Sequence, residues 1–426
     1  MKKIRPVLVA GLLILTLLGV AQNNINSPYS RYGLGELHGK TNSSRLFAMG
    51  GISYGIADPL TVNPANPASY ASFDSLSFLL ETGIKGYFIT LRNTESAESA
   101  SYITLSHFAF GFQVSKWWKM SAGILPYSKI GYNVKLTVNL ENYSNIVNEL
   151  NGEGGLNQIY WGNAFNIGKN FRLGFNSIYI FGEGRHSSTI YFPDSTYIIG
   201  TKTLNKTRGS DFIFDWGTQY DIHFNEKTVL TLGAAYSNKV NFNAKRGYVS
   251  YTLIGGYNNL VEKIKDTLKY IPEEKGSFVI PQKFGFGFSF NKKGSWLVGA
   301  DYEWENWKSF EYFGIQDSLQ NSWKIAAGGE FTPKHTSISP LYKRMSYRMG
   351  IHYKQTYVNI RGQSINVNGI SFGVKFPLKR SKTSINLGFE IGQRGTLKQE
   401  LLKENYFNIN FGINILEHWF YKPKYQ

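Results

Sequence analysis

The chain has 426 residues, of which 16% are aromatic (30 Phe, 28 Tyr, 9 Trp), 44 are Gly and only 18% are charged. Charge is below the about 25% usual in soluble domains, and so aromatic a chain is expected to carry little disorder. The absence of Cys excludes a disulfide framework, a thiolate metal site, a cysteine nucleophile and a lipidated amino terminus, and beyond the first twenty residues no apolar run is long enough for a spanning helix.

Residues 1–21 read as a secretory signal peptide. Lys2, Lys3 and Arg5 precede an apolar stretch from Pro6 to Val20 that ends in Gly19-Val20-Ala21, which predicts cleavage near Ala21. Its removal takes three positive charges, so the net charge falls from +17 to +14. An exported basic chain meets anionic lipopolysaccharide or lipid headgroups rather than nucleic acid.

Residues 22–74 do not alternate. They are small, polar and turn-rich, with Met49-Gly50-Gly51, Asp58-Pro59 and Asn63-Pro64-Ala65-Asn66-Pro67. Proline removes ladder donors, so this stretch cannot be a spanning strand. Leu46, Phe47, Met49, Ile52 and Ile56 offer packing contacts, and the segment is expected to fold as a hatch inside a barrel rather than hang outside it.

From about residue 75 to 416 apolar residues alternate with small or polar ones, as in Phe284, Phe286, Phe288 and Phe290 between Gly285, Gly287 and Ser289. Near the end, Phe407, Ile409, Phe411 and Ile413 oppose Asn408, Asn410, Gly412 and Asn414. The spacing predicts fourteen strands near 76–90, 101–115, 118–139, 155–168, 171–185, 209–223, 228–242, 280–291, 295–304, 320–332, 345–360, 367–377, 383–394 and 404–416. An even count suits a transmembrane antiparallel β-barrel, all-β in class. Turns such as Gly168-Lys169-Asn170, Asn225-Glu226-Lys227, Asn291-Lys292-Lys293-Gly294 and Lys379-Arg380-Ser381 are tight. The stretches 140–154, 186–208, 243–279, 305–319 and 333–344 are expected as long loops on the opposite rim. Trp117, Trp118, Trp161, Trp296, Trp304, Trp307 and Trp323 fall near strand boundaries, where an interfacial girdle is expected. Parity slips near His107 and Ser177 mark expected bulges or misread strands. A short tail, 417–426, follows.

With the phenyl side outward, the lumen receives Glu81, Lys85, Asp215, Asp301, Glu303, Lys324, Glu330, Arg348 and Lys354, among others. A Lys or Arg facing hydrocarbon at the midplane would cost about 2–4 kcal/mol, so inward is the cheap placement. Mixed signs suit paired networks that brace the wall and hold the hatch. Leu79, Ile213 and Leu297 add apolar patches. Pro126 interrupts the third strand and marks either a bulge or a break in wall pairing.

Arg45-Leu46-Phe47-Ala48-Met49-Gly50-Gly51, Ala57-Asp58 and Val62-Asn63-Pro64-Ala65 resemble the hatch pattern of the FadL-like outer-membrane transport proteins. Ile280-Pro281 before the alternating phenylalanines and the ending Glu417-His418-Trp419-Phe420-Tyr421-Lys422-Pro423-Lys424 also look like that family. The resemblance implies a fourteen-stranded barrel in the outer membrane of a Gram-negative bacterium, with Arg45, Met49, Gly50, Gly51, Asp58, Asn63 and Pro64 in the gate. It further implies passive movement of small hydrophobic compounds, with lateral exit at a kinked third strand, here at Pro126. The opening Asn26-Ser27-Pro28-Tyr29 departs from the family's transporters. Some members of the branch are subunits of secretion machines.

Gly51-Ile52-Ser53-Tyr54-Gly55 matches a nucleophile-elbow pattern but lacks the strand before and helix after it. Gly39-Lys40-Thr41 fails the spacing of a phosphate loop, and the seven His include no pair at metal-binding helical spacing. No catalytic residue, metal or cofactor is expected. The sequence therefore supports a passive channel for an unidentified hydrophobic or amphipathic compound, gated by the hatch. The alternative is a non-transporting barrel subunit or scaffold that meets a partner in an outer-membrane secretion or assembly complex.

Overall fold

The computed structural model describes residues 27–138, 145–193, 199–254, 263–334, 339–378 and 381–418. The expected signal peptide, the tail beyond residue 418 and the Lys379-Arg380 turn lie outside the described residues.

Sixteen long strand segments form the wall: β1 (Ser77–Arg92), β2 (Ala97–Gln113), β3 (Trp118–Val138), β4 (Ile146–Ile167), β5 (Phe171–Tyr191), β6 (Gly200–His223), β7 (Thr228–Ser237) and β8 (Val240–Ile254). They continue as β9 (Lys263–Ile280), β10 (Lys283–Lys292), β11 (Trp296–Glu305), β12 (Ser322–Phe331), β13 (Ser346–Ile360), β14 (Gln363–Pro377), β15 (Ser384–Gly395) and β16 (Lys403–His418). β7 resumes as β8 after Asn238-Lys239, and β9 resumes as β10 after Pro281-Gln282, so these sixteen segments make fourteen wall strands. Pro281 has no N–H to give the ladder, which places the second interruption. Pairing is antiparallel throughout, and β16 closes on β1 from Lys403↔Arg92 to His418↔Ser77.

The outer face is apolar. Phe286 and Phe288 are 53% and 44% exposed on it, whereas Gly285 and Gly287 between them turn inward toward Tyr54 and Asp301. Asn408, Asn410 and Asn414 of β16 are buried on the inner face. This is the reverse of a stacked sandwich: rings look out and amides look in.

The predicted long loops are mostly strand. β4 begins at Ile146, β5 runs to Tyr191, β6 starts at Gly200, and 243–279 is largely the β8–β9 hairpin. These extensions rise above the lipid-facing band into water, so neither face needs to be apolar and the alternation fades; Lys263 to Tyr270 is exposed on both faces. The rim asymmetry also differs from expectation. The segment 332–345 shares its rim with the tight turns, and the opposite rim includes a two-residue connection at Arg361-Gly362. Trp307 is not in a girdle: it is 1% exposed, stacked on Tyr357 at 4.1 Å, with its indole N–H donated to Glu305. The parity slip near His107 is a bulge, since the register shifts at Gly83/Ile84 opposite it; around Ser177 the ladder is unbroken.

Candidate functional site

Residues 27–74 run from the upper rim, level with the middle of β3, down the inside of the barrel to the start of β1. The lower part, from Asn42 onward, is fixed to the wall by side chains from nearly every quarter of it. A single helical turn, Ser44–Phe47, carries Arg45. Its guanidinium reaches Asp58 within the segment and Glu330 of β12 at 3.0 Å, and Arg348 of β13 takes the other oxygen of Glu330 at 2.6 Å. Burial opposes ionisation of Asp58, and the Arg45 charge overcomes it, holding the carboxyl below its ordinary range.

Glu81 of β1 accepts from Ser43 Oγ and from the Val62 N–H at 2.8 Å. Asp301 of β11 accepts from the Ser53 and Tyr54 N–H groups, the latter at 3.0 Å, and from Ser53 Oγ at 3.1 Å. Ser53 of the elbow-like pattern is thus a tie to the wall. Tyr54 donates its hydroxyl to Glu303 at 2.6 Å, and Asp215 of β6 holds Lys40 and accepts from Ser237. Asn63 Nδ2 donates to the Ser53 carbonyl at 2.7 Å, and the Pro64 carbonyl accepts from Asn176 of β5 at 3.1 Å. Met49 is fully buried with Leu46, Ile52, Ile56, Leu297 and Ala326. Gly50 and Gly51 have φ of +72° and +76°; a β-carbon on Gly50 would sit 2.7 Å from the Ile351 carbonyl oxygen, so the turn lies flat on the wall only as glycine.

The upper part, residues 27–40, meets an incomplete stretch of wall. β2 and β3 pair only from Phe108↔Ile124 to Gln113↔Lys119. Above that, from Leu125, β3 parts from β2, and its ladder with β4 shifts register by one residue between Pro126 and Ser128. Pro126 therefore marks both a bulge and the foot of a seam. The exposed edge of β3 is taken by the amino-terminal strip instead: Glu36–Leu37 pairs with Lys129 and Ser128, His38 N–H donates to the Tyr127 carbonyl at 2.9 Å, and Ser27 N–H to the Gly131 carbonyl at 3.0 Å. Lys129 lies 3.6 Å above the Tyr102 ring, bridging the seam by side chains. The strip is anchored on its other side by Arg394, which pairs with Glu36 and with Glu404 at 3.3 Å, and by Tyr357, whose hydroxyl donates to the Gly35 carbonyl. Burial pushes the His38 imidazole down to about 4, with Glu36 opposing and Lys85, Lys129 and Arg394 reinforcing the shift.

Between strip, lower segment and wall lies a cavity of about 1660 Å³, its open mouth included. Lys85, Lys324 and Lys354 project into it together with His352, Glu303 and Glu390. Of the charged positions that the alternation turns inward, Lys85, Glu303, Lys324 and Lys354 line this cavity, Glu81, Asp215, Asp301 and Glu330 bind the amino-terminal segment directly, and Arg348 acts on it through Glu330. Sequence reasoning missed Asn176, Ser371, Arg394 and Glu404, which hold the same segment, and Glu36 within it; the Asn-rich inner face of β16, whose Asn410 bonds to Ser44 and Asn42, was the one available signal.

The model of the BamG family matches residues 1–426. A comparison with curated proteins finds no match. Among solved structures, a Pseudomonas aeruginosa FadL homologue superposes with a TM-score of 0.63 at 13% identity, over 90% of this chain and 100% of that one. The Ralstonia pickettii toluene transporter TbuX gives 0.59 at 13% over 88% and 97%, and the Pseudomonas putida toluene transporter TodX 0.58 at 15% over 91% and 100%. At such identities the likeness establishes a FadL-like fold. The full-length match to one family establishes membership: this chain belongs to the BamG family.

Proposed function

We propose that the protein is an outer-membrane channel through which small hydrophobic or amphipathic compounds pass sideways, at the seam between β2 and β3, under control of the amino-terminal strip. The observation that carries this reading is the seam itself. In lipid, every backbone polar group needs a partner, and a barrel that leaves β3 unpaired with β2 above Ile124 supplies that partner from a separate, displaceable segment. Ile103 and Leu105 of β2 stand exposed beside the opening, so cargo leaving there meets an apolar surface. Toluene transporters share the fold, which supports the reading by analogy.

The test uses the absence of native Cys. Glu36 and Lys129 are directly opposed across the strip and β3, a separation suited to a disulfide. In the Glu36→Cys/Lys129→Cys protein, oxidation is expected to stop entry of a hydrophobic tracer into proteoliposomes, and reduction to restore it. Equal flux in both states would refute passage at the seam.

A second reading is a barrel that serves as a subunit or docking scaffold of an outer-membrane secretion or assembly complex. What favours it is the lopsided height of the wall. β3 to β6 with β8 and β9 project as a sheet above the lipid-facing band, while β11 and β12 are ten residues each. Deletion of the β8–β9 hairpin tip would abolish partner capture on this reading and leave tracer flux unchanged.

A further inference from the structure

The cations that line the lumen cavity divide into two groups. Lys40, Lys283 and Arg394 each hold a carboxylate: Asp215, Glu303 at 2.7 Å, and Glu36 with Glu404. Lys85, Lys324 and Lys354 have no ion-pairing carboxylate among the described residues.

The ladder explains why. Glu303, Lys324 and Lys354 occupy opposed inward positions on β11, β12 and β13. Glu303 is claimed from its other side by Lys283 and by the Tyr54 hydroxyl. Beyond Lys354 the row continues to Val367, which offers no charge. Two lysines are thus set directly across from each other on the inner face, an arrangement that repels. Lys85 enters from β1, its ammonium 4.5 Å from the ring centres of both Phe47 and Tyr87. His352 stands among the three lysines, and its Nδ1 is buried without a hydrogen-bond partner. The remaining acid, Glu390, lies 3.9 Å from that nitrogen and accepts from Asn408 at 3.2 Å.

The floor is the glycine turn of the amino-terminal segment. A β-carbon on Gly51 would sit 2.8 Å from Lys324 Nζ and 3.1 Å from the Thr41 hydroxyl, which places that ammonium and that hydroxyl side by side over bare backbone. Around these three ammonium groups the one further carboxylate is Glu390; elsewhere in the lining the cations are matched, since Arg394 holds two carboxylates and Lys283 lies 3.5 Å from Glu305 as well as against Glu303, so the positive surplus is local to Lys85, Lys324 and Lys354. Cations desolvated in this way are costly unless paired.

We propose that this cavity is a binding site for a compact oxyanion of the phosphate-monoester kind, held by the ammonium cluster of Lys85, Lys324 and Lys354 with Thr41 and His352 completing the shell. The site rests on lumen geometry and holds whether or not cargo crosses the seam. Phosphate-type chemistry comes either from a free anion or from the head of an amphiphile.

The test is titration calorimetry on the full-length protein in neutral detergent with two probes, inorganic phosphate and dodecyl phosphate. Binding by either is expected, and Lys324→Gln/Lys354→Gln is expected to weaken it at least about tenfold, the loss of two charge-assisted contacts. Binding by phosphate alone assigns a free anion; binding by dodecyl phosphate alone assigns an amphiphile head. Lys293→Gln, in the turn between β10 and β11 on the lower rim, serves as control and leaves affinity unchanged. Unaltered heat-modified mobility on gels establishes that the double variant is folded, and Lys85→Gln alone provides an independent, milder readout. No binding by either probe, or equal binding by the folded double variant, overturns the proposal. A protein that binds phosphate but fails the disulfide test keeps the site and loses the channel.

Discussion

Arg45 is the side chain whose loss tests most directly how the segment is held. It is 7% exposed and bridges Asp58 to Glu330, while Arg348 continues the chain of charge into the wall. In Arg45→Ala, Glu330 retains Arg348 but Asp58 loses its guanidinium. Removing one member of a buried pair typically costs about 3–5 kcal/mol, and the partial exposure of both carboxylates puts this site near about 3 kcal/mol. Because about 1.4 kcal/mol is tenfold, local opening of the segment should rise on the order of a hundredfold. The barrel ladder is untouched, so global unfolding is the wrong readout. Amide hydrogen exchange in detergent is the right one, following peptides that span 44–66 with β14 and β15 as internal reference. Exchange in 44–66 should accelerate by that factor and the reference should not change. Acceleration of less than about threefold would show that packing of Met49 and its neighbours, not charge, holds the segment.

Asp301→Ala strands the Ser53 and Tyr54 N–H groups, at about 1–3 kcal/mol for each unsatisfied donor, and protease cleavage within 50–60 should quicken while β11 stays intact. Burial lowers His38 to about 4 from an ordinary 6.5, so the strip is favoured in full above 6.5 and loses that contribution as pH falls through 4. The protection factors of residues 36–38, taken against the intrinsic amide rate at each pH, should therefore fall between pH 6.5 and 4, and His38→Gln should flatten the profile. Phe288→Lys places an ammonium on the lipid side of β10; a loss of about 2–4 kcal/mol in folding from urea into bilayers is expected, whereas an unchanged midpoint would mean that this face is not in hydrocarbon.

The strands embedded in lipid were readable because one solvent is hydrocarbon and the other is a polar interior: Phe286 and Phe288 cannot exchange sides with Gly285 and Gly287. Where water bathes both faces that constraint vanishes, and β8 with β9 read as loop. Trp307 misled for a related reason. Proximity to a strand end does not distinguish a ring that turns outward from one that folds back over Tyr357. Among the site residues, inward acids and bases were visible by parity. Their partners were not, since Ser27 and Glu404 are 377 positions apart and only the closed ring brings them together. The seam at Pro126 was legible as an interruption; that the strip completes the edge of β3 depended on where residues 36–38 lie in space.

The strip also makes two distant joints depend on one another. Residues 27–38 finish an edge of β3 that β2 leaves bare, and Arg394 of β15 with Glu404 of β16 pins them there. Since β16 is the strand that meets β1 to complete the circle, closure of the wall and completion of the seam share the same side chains, and a change in one joint is felt at the other.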